Sequence, residues 1–148
     1  MTKTPPALIE KLAHAGSVGV LMPAFDFTLG YETYANARRM IESGLPVALS
    51  TDLSPACMTE SMQFVIALAC LKLRMTPEEA ITAATVNSAY AVGRGEKVGT
   101  IEVGKQADII TLDVPNYRFI PYHFGVNLVE QVVKRGALIS KRSTYRQG

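Results

Sequence analysis

Pro46-Val47-Ala48-Leu49-Ser50-Thr51-Asp52 is a short apolar run that stops on two hydroxyls and a carboxylate. It lies between a Gly44-Leu45-Pro46 turn and a Ser54-Pro55 turn. A run of this length, bounded this way, predicts a strand buried on both faces with helices packed around it. Asp52 then stands at the C-terminal mouth of that strand. In parallel α/β folds reacting groups collect at that end, because the strand holds a side chain rigidly while the next loop shapes a pocket. An Asp just past a strand also forms turns and caps helices, and spacing alone does not separate these roles.

Upstream, Pro5 to Ala15 reads as a helix with proline at its start, Leu8 and Leu12 on one stripe and Gly16 as its stop. His14 falls in its last turn, where a basic group is favourable. Ser17 to Met22 predicts a buried strand ending at Pro23, followed by a connection, Ala24 to Glu32, rich in rings (Phe25, Phe27, Tyr31). Those rings either wall a pocket or cover the sheet end by packing. Tyr34, Ala37, Arg38 and Ile41 recur at helical spacing up to Gly44. Helix, strand, helix, strand with short links implies a parallel sheet with helices on its faces.

Downstream of Asp52, Thr59 is placed to cap a helix whose Met62, Val65, Ile66, Ala69 and Leu73 form one apolar face. Thr76-Pro77-Glu78-Glu79 is a capping-box start, and the helix it opens runs through small residues to Gly93. From Gly99 the character changes to short β-rich pieces: Ile109 to Leu112, Tyr117 to Tyr122, Val129 to Val133, and Ala137 to Ile139 after a Lys134-Arg135-Gly136 turn. These predict a small sheet ending in a hairpin. Two parts are therefore expected, residues 1–95 as α/β and 96–148 as β-rich, with a linker near Arg94 to Lys97.

A length of 148 residues is enough for a sizeable core, and 48% hydrophobic with 19% charged residues is ordinary globular composition. A net charge of +2 gives no nucleic-acid or membrane footprint. The basic tail (Lys134, Arg135, Lys141, Arg142, Arg146) reads as a solvated edge or frayed terminus. No stretch reaches the roughly 18 uncharged apolar residues of a membrane span, and Met1 to Pro6 has no apolar signal core. A cytoplasmic protein is expected. Of the two cysteines, Cys70 falls in an apolar helix, whereas Cys57 lies in the loop after Asp52, where exposure is open to it.

Three stretches together resemble the C-terminal part of the amidohydrolase superfamily: Leu49-Ser50-Thr51-Asp52 with Thr59-Glu60-Ser61-Met62; Thr76 to Ala80 through Ala84-Thr85-Val86-Asn87-Ser88-Ala89-Tyr90-Ala91-Val92-Gly93; and Gly99 to Ile109. Asn116 to Asn127, with Pro121-Tyr122-His123, narrows the resemblance to the imidazolonepropionase family. It implies the last two strand–helix units of a metal-dependent (β/α)8 barrel plus part of a small β-domain. The implied activity is hydrolysis of the cyclic amide of 4-imidazolone-5-propanoate, a small-molecule substrate of histidine degradation, to N-formimino-glutamate. Alternatives are another cyclic amidase of the superfamily, or a non-catalytic, self-associating α/β module.

The resemblance makes Asp52 a catalytic residue and a ligand of one zinc or iron ion. Where the family's loop runs on through Asn, Pro and Gly, this chain has Leu53-Ser54-Pro55-Ala56-Cys57-Met58 and is one residue shorter. Ser54 occupies the Asn place and is the candidate substrate-binding residue there. The family also ligates its metal with several histidines, whereas this chain has His14 and His123 and no His-x-His pair. A catalytic zinc takes about three protein ligands, so this chain by itself is expected to bind no metal and to be catalytically silent. Unpaired strand edges and apolar helix faces predict a homo-oligomer.

Overall fold

A computed structural model describes residues 4–142. The element order is α1 (Pro6–His14), β1 (Gly19–Leu21), α2 (Pro23–Thr28), α3 (Ala37–Glu42), β2 (Val47–Leu49), α4 (Met62–Leu73), α5 (Pro77–Ala84), α6 (Val86–Ala91), β3 (Ile109–Leu112), α7 (Phe119–Tyr122), β4 (Val129–Lys134) and β5 (Ala137–Lys141). β1 and β2 pair in parallel, Gly19 opposite Val47 and Leu21 opposite Leu49. β2 is buried along its whole length, as a strand covered on both faces must be. β1 differs from expectation: Gly19 and Leu21 are buried, but Val20 is 39% exposed.

The ring-rich stretch expected as a connection is a helix. Pro23 supplies a preset φ and lacks only an amide that a first turn leaves unbonded anyway, so α2 starts directly at the mouth of β1. Phe27 then meets Phe64 of α4 edge-to-face at 5.6 Å. α3 begins at Ala37 rather than Tyr34, because the Asn36 side chain accepts from Arg39 N and caps it. Likewise Ser61, not Thr59, caps α4, accepting from Phe64 N at 3.2 Å, while Thr59 Oγ1 accepts from Ser61 N.

Val65 and Ala69 of α4 are fully buried, and α4 packs against α2, α5 and α7. The capping box at Thr76 forms as the sequence predicts. The helix behind it does not run unbroken to Gly93: Thr85, at φ −120° and ψ −82°, divides it into α5 and α6.

β3, β4 and β5 form an antiparallel sheet in that order. The β4–β5 hairpin turns on Arg135 and Gly136, both at positive φ (51° and 80°), the two-residue geometry that matches strand twist. Tyr117 to Tyr122, expected as β, instead contains α7. The Asn116 side chain accepts from Arg118 N to start that turn, and Ile120 is buried in the common core as α7 packs on α4. The described residues of the basic tail (Lys134, Arg135, Lys141, Arg142) are exposed, as a solvated edge should be, and two of them have partners. Lys134 Nζ pairs with Asp108, and Arg142 Nη1 donates to Asn127 O. Arg146, like Met1 to Lys3, lies outside the described residues. No helix among the described residues is long and apolar enough to cross a membrane.

Candidate functional site

The parallel ladder continues one residue past β2, with Ser50 N donating to Leu21 O at 3.0 Å. Ser50 Oγ then accepts from Asp52 N at 3.2 Å, and Asp52 takes a left-handed φ of 52°. Few side chains tolerate that conformation, and aspartate is one that does. The turn ends the ladder and leaves Asp52 half-buried at the strand's C-terminal mouth.

Next, Ser54 and Cys57 exchange backbone hydrogen bonds (Cys57 N to Ser54 O 2.9 Å, Ser54 N to Cys57 O 3.1 Å), closing a tight turn over Pro55-Ala56. Ser54 is half-buried in this turn. Cys57 is 1% exposed, contrary to the exposure open to it from sequence. Its thiol donates to Thr51 O at 3.5 Å and accepts from Thr28 Oγ1 at 3.8 Å. The cysteine thus pins the Asp52 loop to both the end of β2 and the end of α2.

α2 lines the mouth of β1. Its Asp26 is buried, and Asp26 adds to burial itself in pushing the Tyr34 hydroxyl above its ordinary pKa. On the far side of β2, Asn87 Nδ2 donates to Val47 O at 2.8 Å and Ser88 Oγ reaches Leu49 O at 2.9 Å. Both lie in the stretch Ala84 to Gly93 that carries the family resemblance, but its spacing alone assigns neither of them a partner.

The histidines do not join Asp52. His14 is exposed in the last turn of α1, its Nδ1 2.7 Å from Glu10 O. His123 is exposed at the end of α7, beside a cleft of about 690 Å³ shared with Asp113, Glu130 and Arg142. A smaller hollow of about 360 Å³ lies at the opposite end of β2, lined by Leu45, Pro46, Glu78 and Glu79. Among the described residues no three His, Cys, Asp or Glu side chains come together to hold a metal ion. These residues therefore do not by themselves fit a catalytic metal, for which Asp52 offers one carboxylate.

The profile of the amidohydrolase family matches residues 3–139. The chain belongs to that family. It is 53% identical over 131 residues to imidazolonepropionase of Parabacteroides distasonis, a match covering 88% of this chain and 31% of the relative. Against imidazolonepropionase of Bacillus velezensis the identity is 49% over 135 residues, covering 90% and 32%. The chain thus spans about a third of the length of the relatives it matches.

Among solved structures, Escherichia coli guanine deaminase superposes with a TM-score of 0.78 at 19% identity, covering 96% of this chain and 38% of that one. An adenosine deaminase from Xanthomonas campestris with bound zinc gives 0.80 at 24% identity, covering 93% and 35%. At such identities these likenesses speak for fold. The amidohydrolase fold seen here is therefore a part of the barrel: two parallel strands with their helices, joined to an antiparallel sheet.

Proposed function

We propose that this chain is the site-bearing C-terminal part of an imidazolonepropionase, with residues 1–95 belonging to the barrel and 96–148 to a small β-domain. One observation carries it: a 131-residue match at 53% identity in a chain of 148 must run through the strand that ends at Asp52. The substrate would be 4-imidazolone-5-propanoate. Water adds to the ring carbonyl carbon, the ring C–N bond breaks, and the nitrogen takes the proton, giving N-formimino-glutamate.

Asp52 would accept the proton of the attacking water and return it to the leaving nitrogen, a role suited to a carboxylate held at a strand mouth. Ser54, half-buried two residues on, would donate a hydrogen bond to the substrate. In the complete enzyme Asp52 would also be one ligand of a zinc or iron ion, with the remaining ligands supplied from outside these residues. Apolar side chains exposed on and beside β1 (Val20, Phe27, Leu29, Tyr31) support association with further barrel units or with a second copy. Free Cys57 and Cys70 suit a cytoplasmic setting.

The test is a chimera in which this chain replaces the matching segment of the Parabacteroides distasonis enzyme. Ring opening is followed for Asp52 and for Asp52→Asn. Turnover of the chimera that falls by roughly 100-fold or more in the Asn variant supports the reading, in line with loss of a general base. Equal turnover of the two would refute the role of Asp52, and a folded chimera that leaves imidazolonepropanoate intact would refute the substrate.

A further inference from the structure

β2 has two edges, and both are occupied, by different means. Gly19 N donates to Pro46 O and Ser50 N to Leu21 O, so positions 46 and 50 face β1. Carbonyls of successive strand residues point to opposite sides, so those of Val47 and Leu49 face away from β1. These are the two that Asn87 Nδ2 and Ser88 Oγ reach, at 2.8 and 2.9 Å. Two consecutive side chains in the first turn of α6 thus donate to both outward-facing carbonyls of β2. On the outer edge of β1, by contrast, the N–H and C=O of Val20 have no backbone partner among the described residues.

The donor positions are themselves held. The kink at Thr85 aims the start of α6 at β2, and Thr85 Oγ1 is tied back to Ile81 O at 2.8 Å. Gly99, at φ +105°, lies so close that a Cβ there would sit 2.8 Å from Ala89 Cβ and 3.2 Å from Thr85 O. The Asn87 amide must present nitrogen, not oxygen, because Val47 O only accepts. The single proton of Ser88 is shared between Leu49 O and Ala83 O, the latter at 2.7 Å. Leu49 is followed at once by the Ser50–Asp52 turn, so whatever fixes the Leu49 carbonyl fixes the root of Asp52.

We infer that Asn87 and Ser88 are positioning residues for Asp52: they clamp a three-residue strand from its outer edge and hold its C-terminal mouth in register. This rests on the reading of Asp52 as a site residue. Neither side chain touches the reacting atoms; each acts through a β2 carbonyl.

The experiment is amide hydrogen exchange, read by NMR on the 148-residue chain, for Asn87→Asp, Ser88→Ala and Ser88→Thr. Asn87→Asp keeps the shape and replaces the donor by an acceptor; Ser88→Thr keeps the hydroxyl. Expected is about 3- to 10-fold faster exchange at Ser50 and Asp52 in Ser88→Ala, the range for loss of one hydrogen bond, and at least as much in Asn87→Asp, whose carboxylate would face the Val47 carbonyl. Val65 and Ala69 of α4 should be unchanged, and Ser88→Thr should protect Ser50 like the parent.

Unchanged exchange at Ser50, equal acceleration throughout α4, or Ser88→Thr behaving like Ser88→Ala would each overturn the inference. In the chimera described above, Asn87→Asp should lower kcat with KM held, and should add nothing in an Asp52→Asn background. If Asp52→Asn alone is silent while the exchange effects stand, it is the reading of Asp52 that has failed. If Asp52→Asn abolishes turnover while the Asn87 and Ser88 variants change neither exchange nor kcat, it is the clamp that has failed.

Discussion

Replacing Glu79 by alanine should be more damaging than its surface position suggests, because one carboxylate serves two structures. Its Oε2 accepts from Thr76 N at 2.9 Å, completing the cap in which Thr76 Oγ1 accepts from Glu79 N. The same group takes the Arg38 guanidinium on both oxygens, Nη2 to Oε1 at 2.7 Å and Nη1 to Oε2 at 3.1 Å. The Arg38 hydrogen bond holds the Glu79 carboxyl below its ordinary pKa against the cost of burial. Arg38 Nε is already buried without a hydrogen bond, with Glu42 Oε1 at 3.4 Å, so loss of Glu79 leaves the guanidinium poorly matched.

Half of a capping box is worth about 0.5–1 kcal/mol. A two-pronged ion pair between side chains that are 34% and 28% exposed adds about 0.5–1 kcal/mol after solvent screening. Glu79→Ala should therefore cost about 1–2 kcal/mol, which at a urea m-value of about 2 kcal/mol/M lowers the midpoint by about 0.5–1 M. Glu79→Gln keeps an acceptor but loses the charge, and should fall between. The assay is urea unfolding followed by helical circular dichroism, with Arg38→Ala and the double variant completing a cycle. The pair should couple, the double variant losing less than the sum of the singles. A Glu79→Ala midpoint within about 0.2 M of the parent, or strict additivity with Arg38→Ala, would refute this account.

Three further predictions concern charge, packing and thiol reactivity. The Lys134 ammonium, then the Arg135 amide, hold the Asp108 carboxyl down from 3.8 to about 2. Because the folded pKa is the lower one, its stabilising effect is full above the unfolded value and is lost as pH falls from 3.8 towards 2. Thermal midpoints of Asp108→Asn should thus fall less steeply than the parent's across that window, and parallel slopes would contradict it. Gly99→Ala should destabilise by about 1–3 kcal/mol, since the added methyl has neither room nor a permitted φ; an unchanged urea midpoint would dispose of the close approach at Thr85 and Ala89. Burial, then Glu78 and Glu79, push the Cys70 thiol up to about 11, while Cys57 is enclosed by Thr51 and Thr28. Disulfide-reagent labelling at pH 8 should therefore be slow for both in the folded chain and fast in urea, and rapid labelling of Cys57 in the native protein would show that the Asp52 loop is not pinned as described.

Residues near one another in the chain announced much of this. The apolar run into Asp52, the Thr76 capping box and the closing hairpin all depend on local φ/ψ preference and burial period, and all appear where the sequence places them, the turn narrowing from Lys134-Arg135-Gly136 to Arg135-Gly136. The amidohydrolase resemblance was legible for the same reason, carried by short contiguous stretches. What only tertiary structure decided depends on partners far away in sequence. The rings after Pro23 form a helix that packs against Phe64, and Tyr117 to Tyr122 turns helical as Ile120 enters the core beside α4. Cys57 is buried because Thr28 and Thr51 close over it. Asn87 and Ser88 matter because a kink at Thr85 brings them to carbonyls some forty residues earlier. A hydrogen bond of that span leaves no periodic trace in the sequence; it exists because the fold brings a donor to an acceptor that burial would otherwise leave unsatisfied.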